Sequence, residues 1–235
     1  MKFENTDVWG FEHAIRGMRN PMNSHSRSDS NYCDDFDDCN KCRLDVNNCC
    51  TYIVGENDMN LAQKLIKGGS EHRKFLRQIF VSVDITAPLY WWKEFDTYKV
   101  GTTANSTSTM HKLAETPITM DCFETDDMET NLMWSSSNNF PWSITATAQT
   151  FINALEDLRK KYLETKDKKY WKELVRWLPE SWLQTRTVTM SYENLLNMYY
   201  QRKNHKLTEW SESFIKWVET LPYAKELIMY TGEDR

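Results

Sequence analysis

Apolar residues recur at helical spacing near the start of the chain, where Val8, Phe11, Ile15 and Met18 predict a helix over residues 8–19. Asn20-Pro21 stops it, because the residue before a proline avoids the αR region. A second helix is expected from Asp58, a good N-cap, through Leu61, Leu65 and Ile66 to Gly68-Gly69. Ile79 to Ile85 is a β-rich run and predicts a strand. Ala87-Pro88 follows, and then a helix over Leu89 to Tyr98 that carries Tyr90, Trp91, Trp92 and Phe95. Val100 to Thr109 reads as a polar, hydroxyl-rich loop, and residues 115–142 as short strands or loops. The remainder reads as helices over 145–166, 168–177, 188–203 and 207–220, with a short one after Pro222. Phe214, Trp217, Val218 and Leu221 share one face of the fourth of these. The pattern as a whole predicts a mixed α/β (α+β) domain, with long helices around a small central sheet.

Between Met22 and Asn57 the pattern breaks. Ser, Asn and Asp dominate, five of the six cysteines fall here, and little apolar surface is available to bury. Residues 22–57 are therefore expected to be a surface insertion in a single domain spanning 1–235. Ten Trp, eleven Tyr and ten Phe supply the buried area that a fold without disulfides needs. Mean hydropathy is −0.70, and no apolar run approaches the roughly 20 residues that cross a bilayer. The first residues carry charges where a signal peptide needs an apolar stretch. These features point to a cytoplasmic compartment, where cysteines are thiols. A net charge of −5 argues against a broad face for extended nucleic acid, yet leaves room for a pocket holding one nucleotide.

Within the insertion, Cys39-x-x-Cys42 with Cys33 before it and Cys49-Cys50 after it has ligand types that suit zinc. The spacing contains one CxxC rather than two, and adjacent cysteines rarely both bind one ion. An acidic loop with thiols is the other reading of the same residues.

The order of landmarks along the chain resembles that of the flavin-dependent thymidylate synthases. Their hallmark, R-H-R-x-x-S-x-N-E-x-S-x-R, follows an A-P dipeptide and a short helix. Counted from Ala87-Pro88 without a gap, it falls here on Thr97-Tyr98-Lys99, then Thr102, Asn105, Thr107 and Thr109. Lys99, Thr102 and Thr107 are close substitutes; the first Arg, the His and the last Arg are absent. Counted backwards, His72 lands on the family's histidine in its G-H-E-[ST] element. Ala14 to Arg19 looks like the first-helix A-V-R-A-A-R. Leu178-Pro179 and the stretch Thr189 to Arg202 resemble the family's C-terminal pattern, with Asn197 and Arg202 matching and Ser191 and Glu193 departing from its Asn and Arg. The block Ala87 to Gly101 is also similar to proteins common in bacteriophages of gut bacteria.

The resemblance implies a fold, a homo-oligomer (most simply a tetramer with sites between subunits) and a nucleotide partner. It implies FAD, which passes hydride to a uracil nucleotide carrying a folate-derived carbon and so performs the difficult step itself. It places His72, Lys99 and Thr102 on the cofactor, and Asn105, Thr107, Asn197 and Arg202 on the nucleotide. Arg202 suits a planar acceptor, since a guanidinium binds such groups bidentately. Each of these residues also has an ordinary reading, as a solvated helix face or a plain loop. Trp91 and Trp92 read as core more readily than as a stacking platform. A non-catalytic nucleotide-binding or interaction protein that has lost the reaction is the alternative function.

Overall fold

The computed structural model describes residues 1–33, 52–126, 128, 133–135 and 141–231. The chain divides into two compact units. The larger comprises Lys2–Ile85, Tyr98–Asn105 and Thr187–Arg235; the smaller comprises Met1, Thr86–Thr97 and Ser106–Arg186. A four-stranded sheet has the order β1-β4-β8-β5, formed by Lys2–Trp9, Phe80–Pro88, Leu183–Ser191 and Thr103–Ser106. β4 and β8 run antiparallel: Thr187 donates its hydroxyl to Asp84 at 2.6 Å, and the hydroxyls of Thr86 and Thr185 meet at 2.7 Å.

In the larger unit, β1 ends at Trp9 and Gly10 starts α1 (Phe11–Arg19) with φ +97. Only glycine fits there, since a β-carbon would lie 2.1 Å from the Gln78 carbonyl oxygen. Val8, which the helical spacing assigns to the first helix, belongs to the strand. Phe11, Ala14, Ile15 and Met18 give α1 a buried stripe. It packs beside α2 (Glu56–Lys67) and meets the start of α7 (Tyr192–Arg202), which in turn packs on α8 (Ile215–Glu219). Two π turns, Glu209–Phe214 and Ala224–Ile228, flank α8. Phe11 meets Tyr192 edge-on at 5.7 Å, and Tyr192 donates its hydroxyl to the Pro222 carbonyl at 2.5 Å. The expected helix over 188–203 therefore starts four residues late. Val188 and Met190 alternate into the core of β8, and Ser191 then caps α7 in a reciprocal capping box with Asn194.

Asp58 does not cap α2, whose N-cap is Gly55. Asp29, far back in the chain, caps it instead, accepting from the backbone N–H groups of Asn57 and Asp58 at 2.8 and 3.1 Å. That leaves the Asp58 side chain, fully buried, to take the Arg19 guanidinium at 2.5 Å. Asp58 also accepts from the hydroxyls of Ser28 and Ser30 and from the N–H groups of Asp29 and Ser30. Both described ends of the polar insertion are thus tied to the core of this unit. A two-residue ladder, β2 (Asn31–Tyr32) on β3 (Tyr52–Ile53), joins them.

The smaller unit begins with α3 (Leu89–Phe95), where Trp91, Trp92 and Phe95 are buried as core residues rather than as a platform for a ring. α4 (Thr109–Lys112) is short. The hairpin β6 (Met133–Ser135) and β7 (Pro141–Ser143) leads into α5 (Ile144–Thr165), which Ser143 caps, and α6 (Lys168–Arg176) follows. Ile152, Leu155 and Leu174 of this helix pair close on Leu113, Ile118 and Phe123. Arg159 and Glu156 fix the same junction: Arg159 donates to the Ala114 carbonyl at 3.1 Å, and Glu156 accepts from the Ile118 N–H at 2.8 Å. Among the described residues no helix is long and apolar enough to cross a membrane.

Candidate functional site

The polar loop that follows β5 folds back over the first residues of β8 and leaves a pocket of about 360 Å³ in the smaller unit. Volumes of about 300–1,000 Å³ suit small ligands. Its hydroxyls come from Thr107, Ser108, Thr109, Thr116 and Thr185. Lys112 and Glu115 also line it and pair with each other at 2.6 Å. Leu113, Trp182 and Leu183 give it an apolar wall. The loop is held in place from both sides. Thr107 donates its N–H to the Thr185 carbonyl at 2.9 Å, and the Gln184 amide donates to the Thr107 carbonyl at 3.0 Å and the Thr109 hydroxyl at 3.3 Å. Gln184 is itself aligned by Arg186, whose Nε–H meets Oε1 at 3.0 Å. The Arg186 guanidinium lies over the Trp92 ring, 4.2 Å from its centroid, and pairs with Asp96 at 2.8 Å.

A second constellation lies within the larger unit, around α7. Arg202 donates its Nε–H to the Tyr98 hydroxyl at 2.8 Å, and its guanidinium lies 4.7 Å from the Trp210 ring centroid and 5.4 Å from that of Tyr98. Tyr98 passes its own proton to Gln201 at 2.8 Å. Asn194 donates to the Val100 carbonyl at 2.8 Å, so the segment after Tyr98 is laced onto α7. At the other end of the helix, Glu193 receives Arg73 through both nitrogens of its fork at 3.0–3.2 Å, and Asn197 accepts from the same guanidinium at 3.2 Å.

The expected cofactor residues fall in this unit with different surroundings. His72 is exposed, and its ring lies over Gly68, where a β-carbon would approach it to 2.9 Å. Lys99 is exposed and forms no ion pair among the described residues. Thr102 is half-buried, but its hydroxyl proton goes to the Tyr98 carbonyl at 2.6 Å, so the loop itself uses the donor that a phosphate would need. Of the expected nucleotide residues, Asn105 is exposed on β5, Thr107 lines the pocket, and Asn197 and Arg202 are engaged as described. Cys39, Cys42 and Cys49 lie outside the described residues, and Cys33 is half-buried. Among the described residues no group of three or more His, Cys, Asp or Glu is placed to hold a metal ion.

Lys112, Gln184 and Arg186 are absent from the sequence reading. The alternating Thr-rich run Leu183 to Ser191 carried the signal for Gln184 and Arg186, because β-branched residues at every second position favour a strand. Once that run is a strand, Gln184 and Arg186 share one of its faces.

No family model and no curated protein matches the sequence. Solved structures do match the fold. The flavin-dependent thymidylate synthase of Helicobacter pylori, complexed with FAD and dUMP, aligns with a TM-score of 0.62 at 17% identity over 99% of each chain. A second structure of that enzyme with FAD and dUMP gives the same score and identity over 97% of each. The UMP/dUMP methylase PolB of Streptomyces cacaoi, bound with 5-Br UMP, aligns with a TM-score of 0.52 at 11% identity over 75% of this chain and 83% of that one. The chain has the fold of the flavin-dependent thymidylate synthases.

Proposed function

We propose that the protein binds a pyrimidine nucleotide in the pocket of the smaller unit, with the phosphate on Thr107, Ser108, Thr109 and Lys112. The observation that carries this reading is that the hydroxyl-rich segment is folded into a pocket whose lining also includes Lys112, paired with Glu115, and the apolar Leu113, Trp182 and Leu183. A phosphate needs hydroxyl and cationic donors together, and a base needs a flat apolar surface. The solved relatives of this fold hold dUMP or 5-Br UMP, which supports the same class of ligand here.

The donor set of the larger unit does not fit the FAD pyrophosphate in the same way. Tyr98 stands where the hallmark has a histidine and is engaged by Gln201 and Arg202. Arg73 is neutralised by Glu193, and Thr102 has turned its proton inward. Lys99 and His72 remain as exposed positive or ionisable groups. We therefore favour nucleotide binding without the flavin reaction. The purified protein is expected to be colourless; stoichiometric absorbance of oxidised flavin overturns this part of the reading.

Lys112 provides the test of the pocket. Its pairing with Glu115 is solvent-exposed on both sides, so its loss changes stability by no more than about 1 kcal/mol. Lys112→Gln is expected to weaken dUMP binding by about 1.5–3 kcal/mol, the range for a hydrogen bond to a charged group. Isothermal calorimetry measures this, and equal affinities in the two proteins contradict the assignment.

A further inference from the structure

We propose that Gln184, aligned by Arg186, fixes the hydrogen-bond polarity of the pocket so that Thr109 presents a proton, selecting ligands that offer an acceptor oxygen. The inference rests on the nucleotide reading and concerns which atom of the ligand is recognised.

Arg186 sets the polarity. A guanidinium has five N–H donors, no acceptor, and a charge it does not lose in proteins. Its Nε–H, 3.0 Å from Gln184, therefore meets an oxygen, and that atom is Oε1. The other end of the amide lies 3.0 Å from the Thr107 carbonyl, which only accepts, so that end is the NH2. Two neighbours of fixed polarity thus leave Gln184 a single orientation, where an isolated amide could be flipped. The NH2 also reaches the Thr109 hydroxyl at 3.3 Å, and Thr109 accepts there. A hydroxyl that accepts on one side still has its proton to give. Among the described residues the Thr109 hydroxyl has no other partner, and Thr109 lines the pocket. The proton is therefore available to the ligand.

Asp96 and Trp92 explain why this relay holds. Asp96 takes one terminal nitrogen of Arg186 at 2.8 Å, while Trp92 lies under the guanidinium plane. The Trp92 indole N–H is itself given to the Gln184 backbone carbonyl at 2.9 Å. Trp92 is buried, so the plane that orients Arg186 is part of the core. Gln184 and Arg186 are positioning residues on this account, and Thr109 is the contact.

The proposed placement makes the ligand's acceptor oxygen one of the phosphate rather than a pyrimidine carbonyl, and inorganic phosphate and deoxyuridine separate the two. Thr109→Val removes the proton while keeping the shape, and Thr109→Ser keeps the proton. Gln184→Glu replaces the donor facing Thr109 by an acceptor, which turns the Thr109 proton away from the pocket. Calorimetric titration of the full chain with dUMP, inorganic phosphate and deoxyuridine reads all three variants. Thr109→Val and Gln184→Glu are expected to lose dUMP affinity by about tenfold or more, and Thr109→Ser by less than about threefold. A parallel loss for inorganic phosphate assigns the oxygen to the phosphate, and a parallel loss for deoxyuridine assigns it to the base. A purely structural role for Gln184 predicts that Thr109→Val and Thr109→Ser behave alike, and that result overturns the inference. So does dUMP affinity unchanged in Gln184→Glu. Wild-type protein that binds none of the three probes overturns the nucleotide reading itself, and the inference with it.

Discussion

Asp58→Ala is expected to cost about 3–5 kcal/mol of folding stability, because it leaves Arg19 buried without its counter-charge. Arg19 is 4% exposed and Asp58 is not exposed at all. The carboxylate gathers one guanidinium, two hydroxyls and two backbone N–H groups. Burial on its own raises the Asp58 pKa, but the hydrogen bonds from Ser30, Ser28, Arg19 and the Asp29 N–H outweigh it and hold the group below the ordinary carboxylate range. A carboxylate depressed in this way stabilises the fold fully above the unfolded value of about 3.9, and the contribution fades as pH falls through the lower folded value. Urea unfolding at pH 7 measures the loss in Asp58→Ala, and a change under about 1 kcal/mol contradicts the account. Excising residues 22–57 removes Ser28, Asp29 and Ser30 as well, and is expected to behave like the point variant.

Glu156→Ala carries the second-largest expected effect, about 2–3 kcal/mol at neutral pH. It removes the partner of Arg159 and the acceptor of the Ile118 N–H in one step. The Arg159 guanidinium, ahead of every other influence, brings the Glu156 pKa down to about 2. The sign follows from that depression. The contribution is fully present above about pH 5, where the unfolded carboxylate is also ionised, and it is lost between about pH 4.5 and 2. Wild type should therefore lose stability steeply over that interval, and Glu156→Ala less so. Parallel acid-unfolding curves for the two proteins would refute this.

Much of the fold was legible in the sequence because helices announce themselves through a period that spans several turns. Phe11, Ile15 and Met18 on α1 and Trp217 and Val218 on α8 are buried as their spacing predicts. The sheet was harder to read. β1 carries Val8 in phase with the helix that follows, and the Thr-rich β8 abuts α7 without a break, so the ends of both strands were absorbed into helices. Asp58 shows a different limit. A residue that looks like a cap locally became the centre of a buried network whose other members lie 28 to 39 residues away.

The site was legible in part. Counting from Ala87-Pro88 led to Thr107 and Thr109, and both line the pocket. Position alone does not reveal engagement. Glu193 at the family's arginine position is answered by Arg73, an ion pair that spans 120 residues of sequence. Arg202 likewise meets two aromatic rings of its own chain, Tyr98 and Trp210. Its replacement by alanine touches folding as well as any ligand.

A crystal structure of the protein with dUMP tests the central claim most directly. The account predicts the phosphate within about 3 Å of the Thr109 hydroxyl and the Lys112 ammonium, hydrogen-bond distance for such groups, with the base toward Trp182. A nucleotide bound elsewhere on the chain, with that pocket left to solvent, would contradict it.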